Sequence, residues 1–337
     1  MENKELQTVP NILIRLAHLL GTEIENGRLN IPEQFGKGYC AGFVFNEHIR
    51  MFISNYELNE DIMVENPDVN VIGRMIFFKF QNIIPSTEAF ETRGVGLQKH
   101  GSEAQEMALG EQLKAAPSVL IATSRVNTED VISIHTNTAT INIEVNADYL
   151  NGLFEFSEKS PVLQSLLQNT QPLLFEQVVY PFLQRIVNEI MTESVNEAFK
   201  LFFLRIKAEE LVCKLLMELE KRDEKRLYAL NIHDIQSIYK VKEKMLKELG
   251  IPPIIKELAI SANMSPTKLK RLFKQIFGNS IFSYYQEFRM KEAARLLKDE
   301  KLSVSEVGYQ LGFTNLSHFS RVFNEYVGMK PKRYSLS

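Results

Sequence analysis

Between about Leu29 and Val145 the apolar residues come in short or alternating runs: YCAGFVF, IRMFISNYEL, VIGRMIFFKF, SVLIATSRV, VISIHT and ATINIEV. Clusters of Gly, Asn, Pro and Asp separate them. Runs this short, rich in Val, Ile, Phe and Tyr, predict the strands of a sandwich or small barrel, because branched and aromatic side chains pack well on a pleated, half-buried surface. After Asn146 the period changes. SPVLQSLLQN, PLLFEQVVYPFLQRIVNEIM and VNEAFKLFFLRIKAEELVCKLLMELEK place apolar residues three and four apart, as do all later segments, and predict helices. The change of pattern puts the end of the β body near residues 147–160. The whole reads as an α+β chain: a β-rich domain over 1–150, a helical extension over 151–230 and an all-α domain over 231–337.

In the third of these helices Leu201, Leu204, Ala208, Leu211, Leu215 and Leu219 recur at steps of three and four, the seam of a two-helix contact. The seam either packs on the protein's own strands and helices or joins two copies of the chain. The charge-rich EKRDEKR, residues 220–226, follows. It predicts a polar connector that lets the flanking parts be placed independently.

The last part of the chain repeats itself. IIKELAISANMSPTKLKRLFKQIFG, residues 254–278, and VSEVGYQLGFTNLSHFSRVFNEYVG, residues 304–328, match in two pieces. At an offset of 49, Ile255, Leu258 and Ala259 meet Val304, Val307 and Gly308. At an offset of 50, Leu269, Arg271, Phe273 and Gly278 meet Phe319, Arg321, Phe323 and Gly328. The second copy has gained one residue between the pieces. Each copy therefore predicts a helix, a short turn and a second helix, with a small residue where the helices approach. That is the helix-turn-helix plan, whose second helix enters the DNA major groove. Ser265 and Pro266 suit the start of one second helix, and Asn315 or Thr314 that of the other. Gly278 and Gly328 suit their ends. SIFSYYQEFRMKEAARLLKDE, between the copies, predicts a long spacing helix.

Charge sharpens this picture. The net charge of −3 conceals 14 Lys and Arg against 7 Asp and Glu from Gly250 to Ser337, a surplus of +7, which leaves −10 on the rest. A basic module on an acidic body points to a polyanion as the partner of that module alone. Leu269, Leu272, Phe273 and Ile276 form a core stripe in the first copy, as do Phe319, Val322 and Phe323 in the second. The opposite faces offer Thr267, Lys268, Lys270, Arg271 and Lys274, then Leu316, Ser317, Ser320 and Arg321. Arg reads guanine bidentately, Ser and Thr meet base edges or phosphate, and Leu touches a thymine methyl. Lysines chiefly neutralise phosphate.

These residues resemble the DNA-binding domain of the AraC/XylS family of bacterial transcription regulators. The likeness covers about 250–335 and is strongest in VSEVGYQLGFTNLSHFSRVFNEYVGMKPKRY. It implies two recognition helices entering successive major-groove segments, roughly 34 Å apart. By position it carries base reading to Thr267, Lys270 and Arg271 and to Leu316, Ser317, Ser320 and Arg321, with further DNA contacts from the tail residues Lys332 and Arg333. Two departures stand out: AISANMS has no Gly in its turn, and Leu316 is apolar where hydrogen-bonding residues are often used. Upstream, GRLNIPEQFGKGYCAGF and FFLRIKAEELVCKLL are similar to the subgroup typified by the pyochelin-responsive regulator. That similarity implies a small-molecule effector, siderophore-like or other, bound by the N-terminal domain. It also implies a homodimer that activates transcription through RNA polymerase at a promoter or operator on double-stranded DNA.

For such a regulator the β domain suggests a cupin-like barrel. Tyr39, Phe43, Phe45, Met51, Phe52, Tyr56, Met75, Phe77 and Phe78 either line its mouth or fill its core. His48, His100 and His135 form no His-x-His pair, so no metal site is expected. No phosphate loop or nucleophile elbow occurs, so neither cofactor nor catalytic residue is expected and the chain does not read as an enzyme. The rivals are a cupin-type enzyme fused to a DNA-binding module and an architectural DNA binder without an effector. MENKELQTVP lacks a basic stretch followed by an apolar core, so no signal peptide is expected. No run of about 18 apolar residues predicts a membrane span. Cys40 and Cys213, the only cysteines, suit a reducing cytoplasm.

Overall fold

The computed structural model describes residues 9–65, 74–83, 117–126, 131–134, 137–154 and 159–336. Among these the chain divides into two compact units after Asn231. The first described element is helix α1 (Asn11–Leu20), which Gly21 ends in the left-handed conformation at φ 62°. Among the described residues nine strands follow: β1 (Arg28–Asn30), β2 (Gly36–Val44), β3 (Ile49–Leu58), β4 (Ile62–Glu65), β5 (Met75–Gln81), β6 (Ser118–Thr123), β7 (Val131–Ile134), β8 (Asn137–Asn146) and, further along, β9 (Leu174–Val178). Seven form an antiparallel sheet in the order β1-β2-β3-β8-β5-β6-β9, while β4 and β7 pair by themselves.

Alternation along these strands decides which face is covered. In β5, Ile76, Phe78 and Phe80 are fully buried, while Met75, Phe77, Lys79 and Gln81 point the other way. The register carries this across the sheet, so that Phe43, Met51, Ile143, Phe78, Ile121 and Phe175 stand side by side on one face. Four helices cover that face: α2 (Ala147–Leu153), α3 (Pro161–Gln168), α4 (Pro181–Thr192) and α5 (Glu197–Glu220). The other face is capped at one end by α1, whose Leu13, Leu16, Ala17 and Leu20 pack against Cys40, Tyr56 and Leu58. Burial pushes the Cys40 thiol up to about 12, as expected of a packed rather than reactive cysteine.

Two readings of the sequence change here, and one that stood between two alternatives is decided. PLLFEQVVYPFLQRIVNEIM is not one helix: Leu174–Val178 pairs with β6 as the edge strand β9, and Pro181, which lacks an amide hydrogen, opens α4. The seam Leu204, Ala208, Leu211, Leu215 and Leu219 lies inside the same core as the sheet, and only Leu201, at 38% exposure, stands out of it. The connector is also docked as far as Leu230. Arg222 lies over the Phe175 ring at 5.2 Å and donates to the Glu176 carbonyl, and burial lowers its pKa to about 10. Leu227 joins the core, and the Leu230 amide donates to the Pro172 carbonyl at 2.9 Å.

The candidate lining residues also sort by face. Tyr39, Phe43, Phe45, Met51 and Phe78 pack against the helices, and Phe52 and Tyr56 pack under α1. Met75 and Phe77 remain on the open half of the second face. His48 stacks on Tyr149, with ring centroids 4.8 Å apart, and His100 and His135 lie outside the described residues. No described helix is long and apolar enough to cross a membrane.

Phe78→Ala removes a fully buried ring from the middle of the core row. It is expected to lower the unfolding free energy by about 3–5 kcal/mol, read from the midpoint of a denaturant titration of the full chain.

Candidate nucleic-acid interface

The second unit is helical: α6 (Ile232–Lys247), α7 (Ile255–Ser261), α8 (Pro266–Phe277), α9 (Ile281–Lys298), α10 (Val304–Gln310), α11 (Leu316–Val327) and α12 (Pro331–Tyr334). The boundaries of α7 and α10 differ by 49 and those of α8 and α11 by 50, the two offsets of the sequence repeat. Local chemistry fixes each end. The Ser265 hydroxyl accepts from the Lys268 amide at 3.2 Å, and Asn315 Oδ1 accepts from the His318 amide at 3.1 Å. Gly278 and Gly328 end the helices at φ 75° and 82°. Ser303 and Glu306 close a reciprocal capping box on α10, and the hydrogen bonds from Ser303 hold the Glu306 carboxyl below its ordinary range.

The gained residue lies in the turn, and with it goes the answer to the missing glycine. Gly312 adopts the left-handed conformation at φ 74°, and at the equivalent place in the first copy Asn263 does so at φ 51°. Asn tolerates this conformation better than most side chains because it bonds locally to the backbone. Both turns then close alike: the Met264 amide donates to the Ala259 carbonyl at 3.0 Å, and the Phe313 amide to the Gly308 carbonyl at 2.9 Å. Gly308 is small for the expected reason, since a Cβ there would lie 2.6 Å from Leu316 Cδ2 and 3.3 Å from the Phe319 ring.

Helix α9 holds the turn of the second copy through a group whose role the sequence did not reveal. Arg289 is buried and lies 3.7 Å above the Phe313 ring. Its Nε donates to the Leu311 carbonyl at 2.8 Å, its Nη2 donates to the same oxygen, and Nη1 donates to Gln286. Burial lowers its pKa. Tyr285 donates to the Leu249 carbonyl at 2.6 Å, and a Cβ on Gly312 would stand 2.0 Å from the Gly250 carbonyl oxygen. The turn of the second copy is thereby fastened both to α9 and to the segment that follows α6. Nothing in the local sequence marks this Arg, because a basic residue on an amphipathic helix ordinarily belongs to the solvated face.

The core stripes are where the periodicity placed them: Leu269, Leu272, Phe273 and Ile276, and Phe319, Val322 and Phe323, are all buried. On the opposite faces Thr267, Lys270, Arg271, Ser317 and Arg321 are exposed, and Lys274 and Ser320 are half-buried. Lys268 and Leu316, both expected at DNA, are engaged inside the unit. Lys268 Nζ donates to Asp234 of α6 at 2.8 Å, and Leu316 is half-buried with its side chain over Gly308. The pair Arg321–Glu325, at 3.3 Å with both side chains more than half exposed, is weak and leaves Arg321 available. Lys332 and Arg333 are exposed on α12, which Pro331 and the contact of Tyr334 with Phe323 at 5.5 Å anchor. The arrangement presents a row of donors and cations from two rigid helices, the chemistry that phosphates and the base edges of a major groove accept.

Comparison with known proteins places similarity here. Residues 258–336 match the family described as helix-turn-helix domain. The HTH-type transcriptional regulator GbdR of Pseudomonas aeruginosa is 34% identical over 108 residues, 32% of this chain and 29% of that protein. The regulatory protein PchR of the same species is 37% identical over 71 residues, 21% of this chain and 24% of that protein. The arabinose operon regulatory protein of Escherichia coli is 34% identical over 71 residues, 21% of this chain and 24% of that protein. The chain thus spans less than a third of the length of these curated relatives. Among solved structures, the DNA-binding domain of AdpA in complex with a target DNA is 26% identical, with 30% of this chain and 90% of that one covered, at a TM-score of 0.28. ToxT from Vibrio cholerae is 13% identical, with 86% and 98% covered, at a TM-score of 0.31. Both scores are low, and neither likeness carries a structural conclusion.

Gly312→Ala places a methyl group against the Gly250 backbone in a left-handed turn. It is expected to cost at least about 1–3 kcal/mol, seen as a lowered melting temperature, whereas Asn263→Gly at the equivalent place is expected to be neutral or mildly stabilising.

Proposed function

We propose, from the AraC-type helix-turn-helix domain that residues 258–336 constitute, that the chain is a sequence-specific transcription regulator. The observation that carries the proposal is the doubled unit itself: two recognition helices with matching caps and turns, each burying an apolar stripe and turning Arg, Lys, Ser and Thr outward. In this reading α8 and α11 enter successive major-groove segments. Arg271 and Arg321, equivalent in the two copies, read bases. Thr267, Ser317 and Ser320 meet base edges or phosphate, and Lys270, Lys274, Lys332 and Arg333 neutralise phosphate. Lys268, tied to Asp234, sets the pitch of α8 against α6, and Leu316 serves the helix contact first and reaches a thymine methyl only with its remaining surface.

Arg271→Ala and Arg321→Ala are each expected to weaken binding to a selected operator by about 1–3 kcal/mol and to relax sequence preference. Lys270→Ala is expected to weaken all sequences alike and to reduce the salt slope by about one. Fluorescence anisotropy on operator and scrambled duplexes at several salt concentrations reads both. Unchanged discrimination in the two arginine variants, with folding intact, would sink the proposal.

The first unit is the effector-binding half of this regulator, a cupin-like fold acting in the cytoplasm to change how the bound protein engages RNA polymerase, in the direction of activation. Relatives named as transcriptional or operon regulators support a regulator rather than an enzyme. The chain pairs with a second copy through α5, on the face opposite the buried seam. Phe199, Phe202, Ile206 and Met217 are 63%, 66%, 45% and 54% exposed there at helical spacing. Residues 197–207 of α5 carry a net charge of +2 and residues 208–220 one of −3, so an antiparallel pair brings opposite charges together. Phe202→Glu is expected to convert a dimer into a monomer in sedimentation at micromolar concentration. A wild-type chain that sediments as a monomer rules this pairing out.

A further inference from the structure

The second face of the sheet is divided. Its β1-β2-β3 end lies under α1 and is apolar. Its other part, across β8, β5 and β6, is polar and half-open, while Leu174 and Glu176 of β9 are buried. The row beside the buried one runs Phe52, Asn142, Lys79, Leu120 and Glu176, and the next runs Arg50, Glu144, Phe77, Ala122 and Leu174. The charges on this end are unequally provided for. Glu144 accepts from Arg50 Nε at 2.5 Å and from Asn142 Nδ2 at 2.9 Å. Lys79, in the middle, has neither hydrogen bond nor ion pair among the described residues, although its side chain is reachable by solvent. Crowding by the surrounding protein pushes its ammonium below the ordinary lysine value, as happens to a cation that loses water without gaining a counter-charge.

We propose that Lys79 anchors a small amphipathic organic anion on this open half of the sheet, with Phe77, Leu120 and Ala122 as the apolar floor beneath its carbon skeleton. The proposal rests on reading the first unit as effector-binding and gives that effector a chemical class. A carboxylate or sulfonate recovers the charge-assisted hydrogen bond that Lys79 lacks. From β8 to β6 the floor is two strand spacings wide, roughly 10 Å. That width admits one or two rings or a short acyl chain rather than a large macrocycle. A neutral sugar would leave the ammonium uncompensated, and a cation would be repelled.

Two fluorescent probes of similar skeleton separate charge from apolar contact: anilinonaphthalene sulfonate, an anion, and N-phenylnaphthylamine, its neutral counterpart. In the full chain the sulfonate is expected to bind saturably. Lys79→Met is expected to weaken it about tenfold or more, the loss of one charge-assisted bond, Lys79→Arg to retain it, and neither substitution to move the neutral probe. Melting curves and operator binding identical to wild type establish that the variants fold. Equal sulfonate affinity in Lys79→Met and wild type, a parallel loss of both probes, or no saturable sulfonate binding overturns the site. Those outcomes are independent of operator discrimination by Arg271 and Arg321, so either reading can fail while the other stands.

Discussion

The C-terminal unit depends on a backbone constraint: the turn of each helix pair must contain one residue in the left-handed conformation. Without it the amides of Met264 and Phe313 cannot fold back onto the carbonyls of Ala259 and Gly308, and the second helix cannot leave the first at the angle that exposes its polar face. The two copies meet the constraint differently. Gly312 meets it with no steric penalty and also lets the Gly250 backbone press against it. Asn263, exposed to solvent, meets it with a side chain in place. Arg289 then secures the more crowded turn by capping the Leu311 carbonyl. The degeneracy of the repeat is thus a record of two different environments around one turn geometry.

How much of this was legible beforehand follows from the range of the interactions. The repeat, its caps and its apolar stripes are local in sequence, and periodicity with capping chemistry located Ser265, Gly278 and Gly328 to the residue and narrowed the remaining cap to Asn315 or Thr314. The strands of the β body were legible for the same reason, since alternation in β5 or β8 is a local signal. What escaped was long-range. An edge strand such as β9 is short and follows a helix, so the apolar residues around it merge into one run until the sheet supplies a partner. Lys268–Asp234 and Arg289–Leu311 join elements 34 and 22 residues apart and leave no mark on either segment.

The first unit makes a related point about burial. The seam on α5 was recognisable as a contact surface, but a periodic stripe does not say what it touches. Here the sheet takes that stripe, and the exposed aromatics Phe199 and Phe202 occupy the other side. On the sheet itself adjacent rows of the same strands serve opposite ends: one is wholly apolar under four helices, and the next carries Lys79, Asn142 and Glu176. A one-residue shift in register would exchange them, so the polar row is fixed as strictly as the core.

The docking of Arg222, Leu227 and Leu230 bears on how the two halves of the chain can be used. A flexible tether of ten residues would let its ends wander by roughly 17 Å. In this chain nearly all of that slack has been taken up along the edge strand before the first residue of α6. The chain from Arg222 to Leu230 therefore stays with the sheet edge instead of hanging as a loose string. For anyone building hybrids of such proteins, the workable seam falls at Asn231, after the last docked residue, and a cut at Glu220 would strip the sheet edge of its cover.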